Sequence, residues 1–297
     1  MAELQVENWP DLKDPWLVAA FDGWPNAGGV SIQALQYLRD KLGAAKFAQI
    51  APAEFYGFAV LRPITVIKEG LVKGVKFPTN DFYAWKNPAG GRDLILFLGT
   101  EPHLRWLQYL DCVFQVISQF QVGRTISLGS TFDKVPHTME PRLSSSVNDP
   151  AIIPEVKALG IGQTDYMGPC SIHTVMQETL KERHVQSLSL WGHVPHYLQV
   201  GNPQVTLALL TKLLHLLAVE ADLTEIRRSS QEFRDMLNQF MAQKAELQEY
   251  VRTLEEEALS ERGQEGSPER AERLMREVED FLRREQHRPE GDGPGAG

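Results

Sequence analysis

Apolar positions in this chain fall into short unbroken runs separated by longer stretches with helical spacing. Residues 16–21, 46–51, 94–98, 125–128 and 187–191 are five runs of strand length. Unbroken runs, rather than alternating ones, are what strands covered on both faces require. Between them, 30–42 places Val30, Ala34, Leu35 and Leu38 on one helical face and ends at Gly43, a left-handed cap. Residues 104–120 do the same with Leu104, Leu107, Leu110, Phe114 and Ile117, opened by Thr100 and Pro102. Asn202-Pro203 reads as the cap and first turn of a very apolar helix over 205–219, and shorter helices are predicted near 154–159 and 172–183. The alternation predicts an α/β fold: a three-layer α/β/α sandwich of phosphorylase or hydrolase type around a mainly parallel sheet.

Three stretches depart from this rhythm. Residues 62–67 and 71–77 flank Glu69-Gly70 and predict a β-hairpin inserted between the second and third central strands. Residues 131–146, rich in Pro and Ser, read as a long loop on the rim of the strand ends, where long loops are disproportionately functional. After about residue 220, Leu223, Ile226, Ser230, Phe233, Leu237, Phe240, Lys244, Leu247, Val251, Leu254 and Ala258 recur at spacings of three and four. That is a heptad seam over five repeats, the pattern of a coiled coil.

Residues 263–266 interrupt the seam, and Ser267-Pro268 opens a shorter helix carrying Ala271, Leu274, Val278 and Phe281. Two helices so closely joined are expected to be antiparallel neighbours. The short one covers only the distal half of the seam, so the proximal half needs the α/β body or another subunit. Packing within the chain, self-association and docking of a different protein all remain open for the seam. The predicted division is an α/β domain over 1–220, a helical hairpin or coiled-coil extension over 221–287, and a Gly/Pro-rich disordered tail over 288–297.

Composition narrows the function classes. The chain has 297 residues, 42% of them hydrophobic, enough for one large core with an appendage. With 39 acidic residues against 30 basic ones and a net charge of −9, phosphate-backbone binding is disfavoured, so no nucleic-acid partner is expected. No apolar run is long enough to span a membrane, and the opening residues lack a signal-peptide pattern. A cytoplasmic location is the resulting expectation. Two cysteines, Cys112 and Cys170, are too few for a disulfide framework or a thiolate metal cluster.

If the central strands are parallel, four strand ends converge on one rim. They carry Asp22-Gly23-Trp24-Pro25-Asn26, Thr100-Glu101-Pro102-His103, the segment from Gly129 to His137, and Trp191-Gly192-His193-Val194-Pro195-His196-Tyr197. A pocket there would be lined by Asp22, Gly23, Trp24, Asn26, Glu101, His137, His193, His196 and Tyr197. Asp22 or Glu101 would serve as base, and His196 among the histidines as acid. Cys170, near a predicted helix start with His173 close by, is a possible nucleophile. The plainer reading is that polar side chains gather at loop ends because loops face water. His137, His193 and His196 lack the fixed spacing of a zinc site, and no metal is expected. The turn at Asn26-Ala27-Gly28-Gly29 matches neither phosphate-loop motif. It either offers backbone N–H groups to an anion or lets helix and strand approach closely. No cofactor is called for.

Taken together, Asp22-Gly23-Trp24 with Ala27-Gly28, then Val135-Pro136-His137-Thr138, Tyr166-Met167-Gly168-Pro169 and Val194-Pro195-His196-Tyr197 resemble the proteasome assembly chaperone 2-like family in its bacterial branch. The resemblance covers about 16–217. It implies a three-layer α/β/α fold similar to nucleoside phosphorylases, and in eukaryotic and archaeal relatives a role in proteasome assembly or docking. Docking in those relatives uses a C-terminal hydrophobic–tyrosine–any-residue tail, whereas this sequence ends Gly293-Pro294-Gly295-Ala296-Gly297.

Two functions follow from these observations. One is a non-enzymatic, assembly-chaperone-like protein that binds a protein partner, itself, or both, as a homo-oligomer. The other is an enzyme or small-molecule binder of hydrolase or nucleoside-phosphorylase type, using the rim.

Overall fold

The structure, a computed structural model, describes residues 3–260. In chain order its elements are β1 (Leu4–Val6), β2 (Trp16–Asp22), α1 (Val30–Leu42), β3 (Ala45–Ile50), β4 (Ile64–Lys68), β5 (Leu71–Lys76), β6 (Asp81–Trp85), β7 (Leu94–Thr100) and α2 (Trp106–Gln119). They continue with β8 (Arg124–Asp133), β9 (Leu143–Val147), α3 (Ile153–Ala158), β10 (Gly162–Gln163), α4 (Ile172–Glu182), β11 (Gln186–Pro195), α5 (Pro203–Leu217), α6 (Thr224–Ala242) and α7 (Ala245–Ser260). The expected features at 263–266, 267–281 and 288–297 lie outside the described residues.

Nine strands form one sheet in the order β1-β3-β6-β7-β2-β8-β11-β9-β10. Its centre, β7-β2-β8-β11, is parallel throughout. Strand β2 shows why its residues had to be apolar without a break. Leu17, Ala19 and Phe21 point into one core with α2 and α4, while Val18 and Ala20 point into the other with α1 and α5. Helices thus cover both faces, and the architecture is a three-layer α/β/α sandwich. Among the described residues no helix is long and apolar enough to cross a membrane.

The first half of the sheet differs from the expectation of side-by-side parallel runs. Strand β6 was not anticipated: it intervenes between β3 and β7 and pairs antiparallel with both. Its five residues sit between turn-forming Pro and Asn residues, too short a run to stand out. The inserted hairpin is present as β4 and β5, but as a separate two-stranded ribbon, exposed along its whole length.

The region read as a loop over 131–146 is strand at both ends. β8 continues to Asp133, and β9 begins at Leu143 and pairs antiparallel with β11. The serines of β9 sit in the sheet because their hydroxyls find partners there. Ser145 Oγ donates to the Gly162 carbonyl at 3.0 Å and Ser146 Oγ to Gln177 Oε1 at 3.0 Å.

Helix α2 also corrects its expected face. Leu104 precedes the helix and Leu107 lies in its first turn, and both are largely exposed, at 55% and 63%. Burial falls instead on a wider stripe that includes Tyr109, Leu110, Val113, Val116 and Ile117. Asn202 caps α5 as expected, its side chain accepting the Val205 N–H at 3.1 Å.

The heptad seam is not one helix. It bends at Gln243–Lys244, and both halves keep the seam against the body. Leu223 and Ile226 join the core under α5 and α1, where Tyr37 Oη donates to the Asp222 carbonyl at 2.8 Å. Phe233, Leu237, Phe240, Leu247, Val251 and Leu254 bury with Tyr197 and Leu198 from the segment after β11. Between the two proposals for the proximal half, the α/β body is the surface that covers it.

This packing separates two leucines that helical spacing treats alike. Leu237→Ala removes a fully buried side chain and is expected to cost about 2–4 kcal/mol, measured by urea denaturation. Leu107→Ala should change stability by less than about 0.5 kcal/mol. Equal losses at both positions would contradict the packing described here.

Candidate functional site

The carboxyl ends of β7, β2, β8 and β11 form one lip, and the turn after β2 is its first component. Gly28 and Gly29 adopt φ of +60° and +69°, and a Cβ on Gly28 would lie 2.9 Å from the Val200 carbonyl oxygen. Close approach is therefore what these glycines provide. The start of α1 is closed by the chain itself: Asn26 Oδ1 accepts from the Ser31 N–H at 3.1 Å, the Ser31 hydroxyl at 2.8 Å and the Ile32 N–H at 3.3 Å. The Ser31 and Ile32 N–H groups in the first turn of α1 are thereby satisfied.

The same side chain reaches back, Asn26 Nδ2 donating to Asp22 Oδ1 at 2.9 Å. The Glu101 N–H donates to the Asp22 carbonyl at 2.8 Å, stitching the ends of β7 and β2 together. Glu101 Oε1 accepts the Ile172 N–H at 2.8 Å, so this carboxylate sits at the first turn of α4. Burial pushes the Glu101 pKa up, against the opposing pull of N–H groups from Ile172 and Trp24. Asp22, Gly23, Trp24, Asn26 and Glu101 thus form one connected group, with the Trp24 ring 62% exposed.

The histidines form a second group, centred on the end of β8. His193 lies between Asp133 Oδ2 at 2.7 Å and Ser144 Oγ at 2.8 Å. Burial works to raise the Asp133 pKa, but the hydrogen bond and charge of His193, with the Lys134 N–H and Arg142, hold it below its ordinary value. His196 Nδ1 lies 3.2 Å from the Asp133 carbonyl, which can only accept, so in the neutral ring Nε2 accepts from the Tyr250 hydroxyl at 2.7 Å. Burial lowers the His196 pKa.

Tyr197 is fully buried, and its hydroxyl accepts the His137 backbone N–H at 2.9 Å while donating to His137 Nδ1 at 2.7 Å. Burial lowers the His137 pKa to about 4, so the ring is neutral. The Thr138 hydroxyl bonds Glu255 on α7. The space enclosed by residues including His137, His193, Asn202 and Gln204 is about 10 Å³, room for roughly one water.

The two groups meet where the Ser130 N–H donates to the Pro25 carbonyl at 2.8 Å. All nine residues expected at the rim therefore lie on it, but most of their polar side-chain atoms bond one another, the strands or the C-terminal helices, while His137 Nε2 is buried without a partner among the described residues. The pairing of Cys170 with His173 does not form. Cys170 is exposed on the loop before α4, whereas His173 is buried between the rings of Phe21 and Trp191, each 5.2 Å away. Among the described residues no three His, Cys, Asp or Glu side chains are grouped to hold a metal.

Asp133, Ser144, Tyr250 and Glu255 were missed from the sequence. Asp133 lay inside what read as a loop. The other three meet the histidines only through the pairing of β9 with β11 and the docking of α7.

A profile described as the PAC2 family matches residues 20–241. The chain belongs to the PAC2 family. A PAC2 family protein from Streptomyces avermitilis is 30% identical, with 80% of this chain and 100% of that one covered and a TM-score of 0.72. The proteasome-assembly chaperone homologue of Mycobacterium tuberculosis is 28% identical over 80% of this chain and 99% of that one, with a TM-score of 0.73. An archaeal proteasome activator from Pyrococcus furiosus shares the fold at 21% identity, covering 80% of this chain and 97% of that one, with a TM-score of 0.65. None of the curated proteins matches this sequence. The stretches that carry the PAC2 resemblance at Asp22, His137 and His196 are the ones that knit the lip together, and the matched region runs on into α6.

A pH dependence follows from the buried imidazole. His137 has a pKa of about 4 in the fold against 6.5 as its ordinary value, so the unfolded chain takes up the proton first. Its contribution is complete above pH 6.5 and is lost as pH falls from 6.5 through 4, by about 3 kcal/mol. His137→Asn retains an acceptor for Tyr197 and removes the titration. Urea denaturation from pH 7.5 to 4.5 should show a shallower loss for this variant. Parallel pH profiles would show that His137 is not buried in its neutral form.

Proposed function

We propose that this PAC2 protein is a cytoplasmic, chaperone-like protein that acts by binding other protein surfaces, including a second copy of itself, rather than by catalysis. The observation that carries the reading is the β4–β5 ribbon. Ile64, Ile67, Leu71, Val72 and Val75 are each more than half exposed, and so is Val60 just before the ribbon. A two-stranded hairpin is marginal in water by itself, and a contiguous apolar surface of this kind marks an interaction site. The ribbon also carries Arg62, Lys68, Lys73 and Lys76 against Glu69, in a chain whose net charge is −9. Its natural counterpart is an acidic surface, which a second copy supplies.

The lip offers a further contact surface. Trp24, Phe132, Tyr166 and Met167 stand exposed on or beside it. The carboxylates and imidazoles that a catalytic reading needs are engaged in holding elements together. The description of the Mycobacterium relative as a proteasome-assembly chaperone homologue supports a role exerted on another protein. In this reading residues 3–220 are the α/β body, and α6 and α7 form an extension clamped on the lip by Tyr250 and Glu255.

The test is the mass in solution. Replacing Ile64, Ile67, Val72 and Val75 together by Thr keeps residues suited to strands and removes most of the ribbon's apolar surface. Light scattering coupled to size exclusion should give an oligomer for the native chain and a smaller species for the variant, with the melting temperature changed by no more than a few degrees. A native chain that is monomeric at tens of micromolar, or a variant of unchanged mass, would remove the self-association half of the proposal.

A further inference from the structure

Beside the lip, where α5 runs against α6, a groove of about 530 Å³ opens between the two helices, the end of α3 and the strand β9. Its apolar lining includes Leu159, Leu207 and Ala208, and three cations border it: Lys212 from α5, and Arg227 and Arg234 from α6. Glu140 is the one carboxylate that lines it.

Among the described residues most other arginines find carboxylates, as in Arg92–Asp14, Arg105–Glu54 and Arg124–Glu155. Among the described residues none of the three groove cations makes an ion pair, and Arg234 Nε is buried with no hydrogen-bond partner. A guanidinium N–H removed from water and left unpaired is unfavourable until an acceptor reaches it. The forked guanidinium prefers carboxylate or phosphate oxygens as that acceptor.

We propose that this groove is a binding site for a small organic dianion with an apolar middle. The volume falls in the range of about 300–1,000 Å³ usual for small-molecule sites. Arg227 and Arg234 are seven residues apart, two turns on one side of α6 and therefore about 10 Å along its axis. A ligand that satisfies both carries its acidic groups at about that span. The apolar lining between them takes up the connecting segment. The groove adjoins the lip, sharing Pro141 and Gln204 with the small space beside His137, but it includes no residue of the β4–β5 ribbon, and it does not depend on the protein-binding reading.

The test uses the full chain and a series of straight α,ω-dicarboxylates, from glutarate through azelate, with inorganic phosphate in parallel, followed by titration calorimetry. Azelate, whose carboxylates span about 10 Å when extended by the chain geometry that sets such distances, should bind at least tenfold more tightly than glutarate or phosphate. Arg234→Gln should weaken azelate at least tenfold, while Arg234→Lys retains part of the affinity. Ala208→Trp, which fills the lining and leaves every charge in place, should abolish binding with an unchanged thermal melt. The proposal fails if no dicarboxylate binds at tens of millimolar. It also fails if phosphate binds as tightly as azelate, or if Arg234→Gln and Ala208→Trp both bind azelate as the native chain does.

Discussion

Four parallel strands that must be covered on both faces govern this structure. In β2, Leu17, Val18, Ala19, Ala20 and Phe21 have no exposed surface, although their side chains point alternately to opposite sides. Water cannot serve either face, so helices have to lie on both, α1 and α5 on one side and α2 and α4 on the other. The same constraint puts the carboxyl ends of β7, β2, β8 and β11 along one lip. At the opposite end Trp16 is sandwiched between the guanidinium groups of Arg92 and Arg124, at 4.0 and 4.5 Å from its ring centre.

The lip resembles an active site in composition and a joint in connectivity. Its carboxylates answer backbone N–H groups and amides, as Glu101 does for Ile172 and Asp22 for Asn26. Its imidazoles link strand to strand and strand to helix, with His193 between Asp133 and Ser144 and His196 between the Asp133 carbonyl and Tyr250. Buried polar groups are stable only when their partners are present. This network holds the C-terminal helices to the body, with His137 Nε2 the buried imidazole atom of the lip that has no partner among the described residues. More unsatisfied chemistry lies outside the lip: apolar side chains on the β4–β5 ribbon, and unpaired cations between α5 and α6. In a PAC2 protein these are the surfaces with something to gain from contact.

Most of the fold was legible in the sequence because its signals are local. The unbroken apolar runs, the Asn202-Pro203 start of α5 and the Glu69-Gly70 turn each depend on residues near one another in the chain. The rim was legible for the same reason, since each of its residues lies at or a few residues beyond the carboxyl end of a strand. Strand β6 was not, because five residues between turn signals do not declare themselves until β3 and β7 are in place to pair with them. The exposed face of Leu107 was missed because spacing identifies a stripe, and the extent of the neighbouring layer decides how much of it is covered.

By itself, then, the sequence determined the layers, the parallel centre and the positions where polar side chains would gather, since periodicity and turn chemistry are properties of neighbouring residues. Only the tertiary structure decided what those side chains are for. Asp133 and His193 are 60 residues apart, and His196 and Tyr250 are 54 apart, yet each pair is within 2.7 Å. A hydrogen bond depends on distance in space, and that distance is set by strand pairing and helix docking rather than by any spacing along the chain.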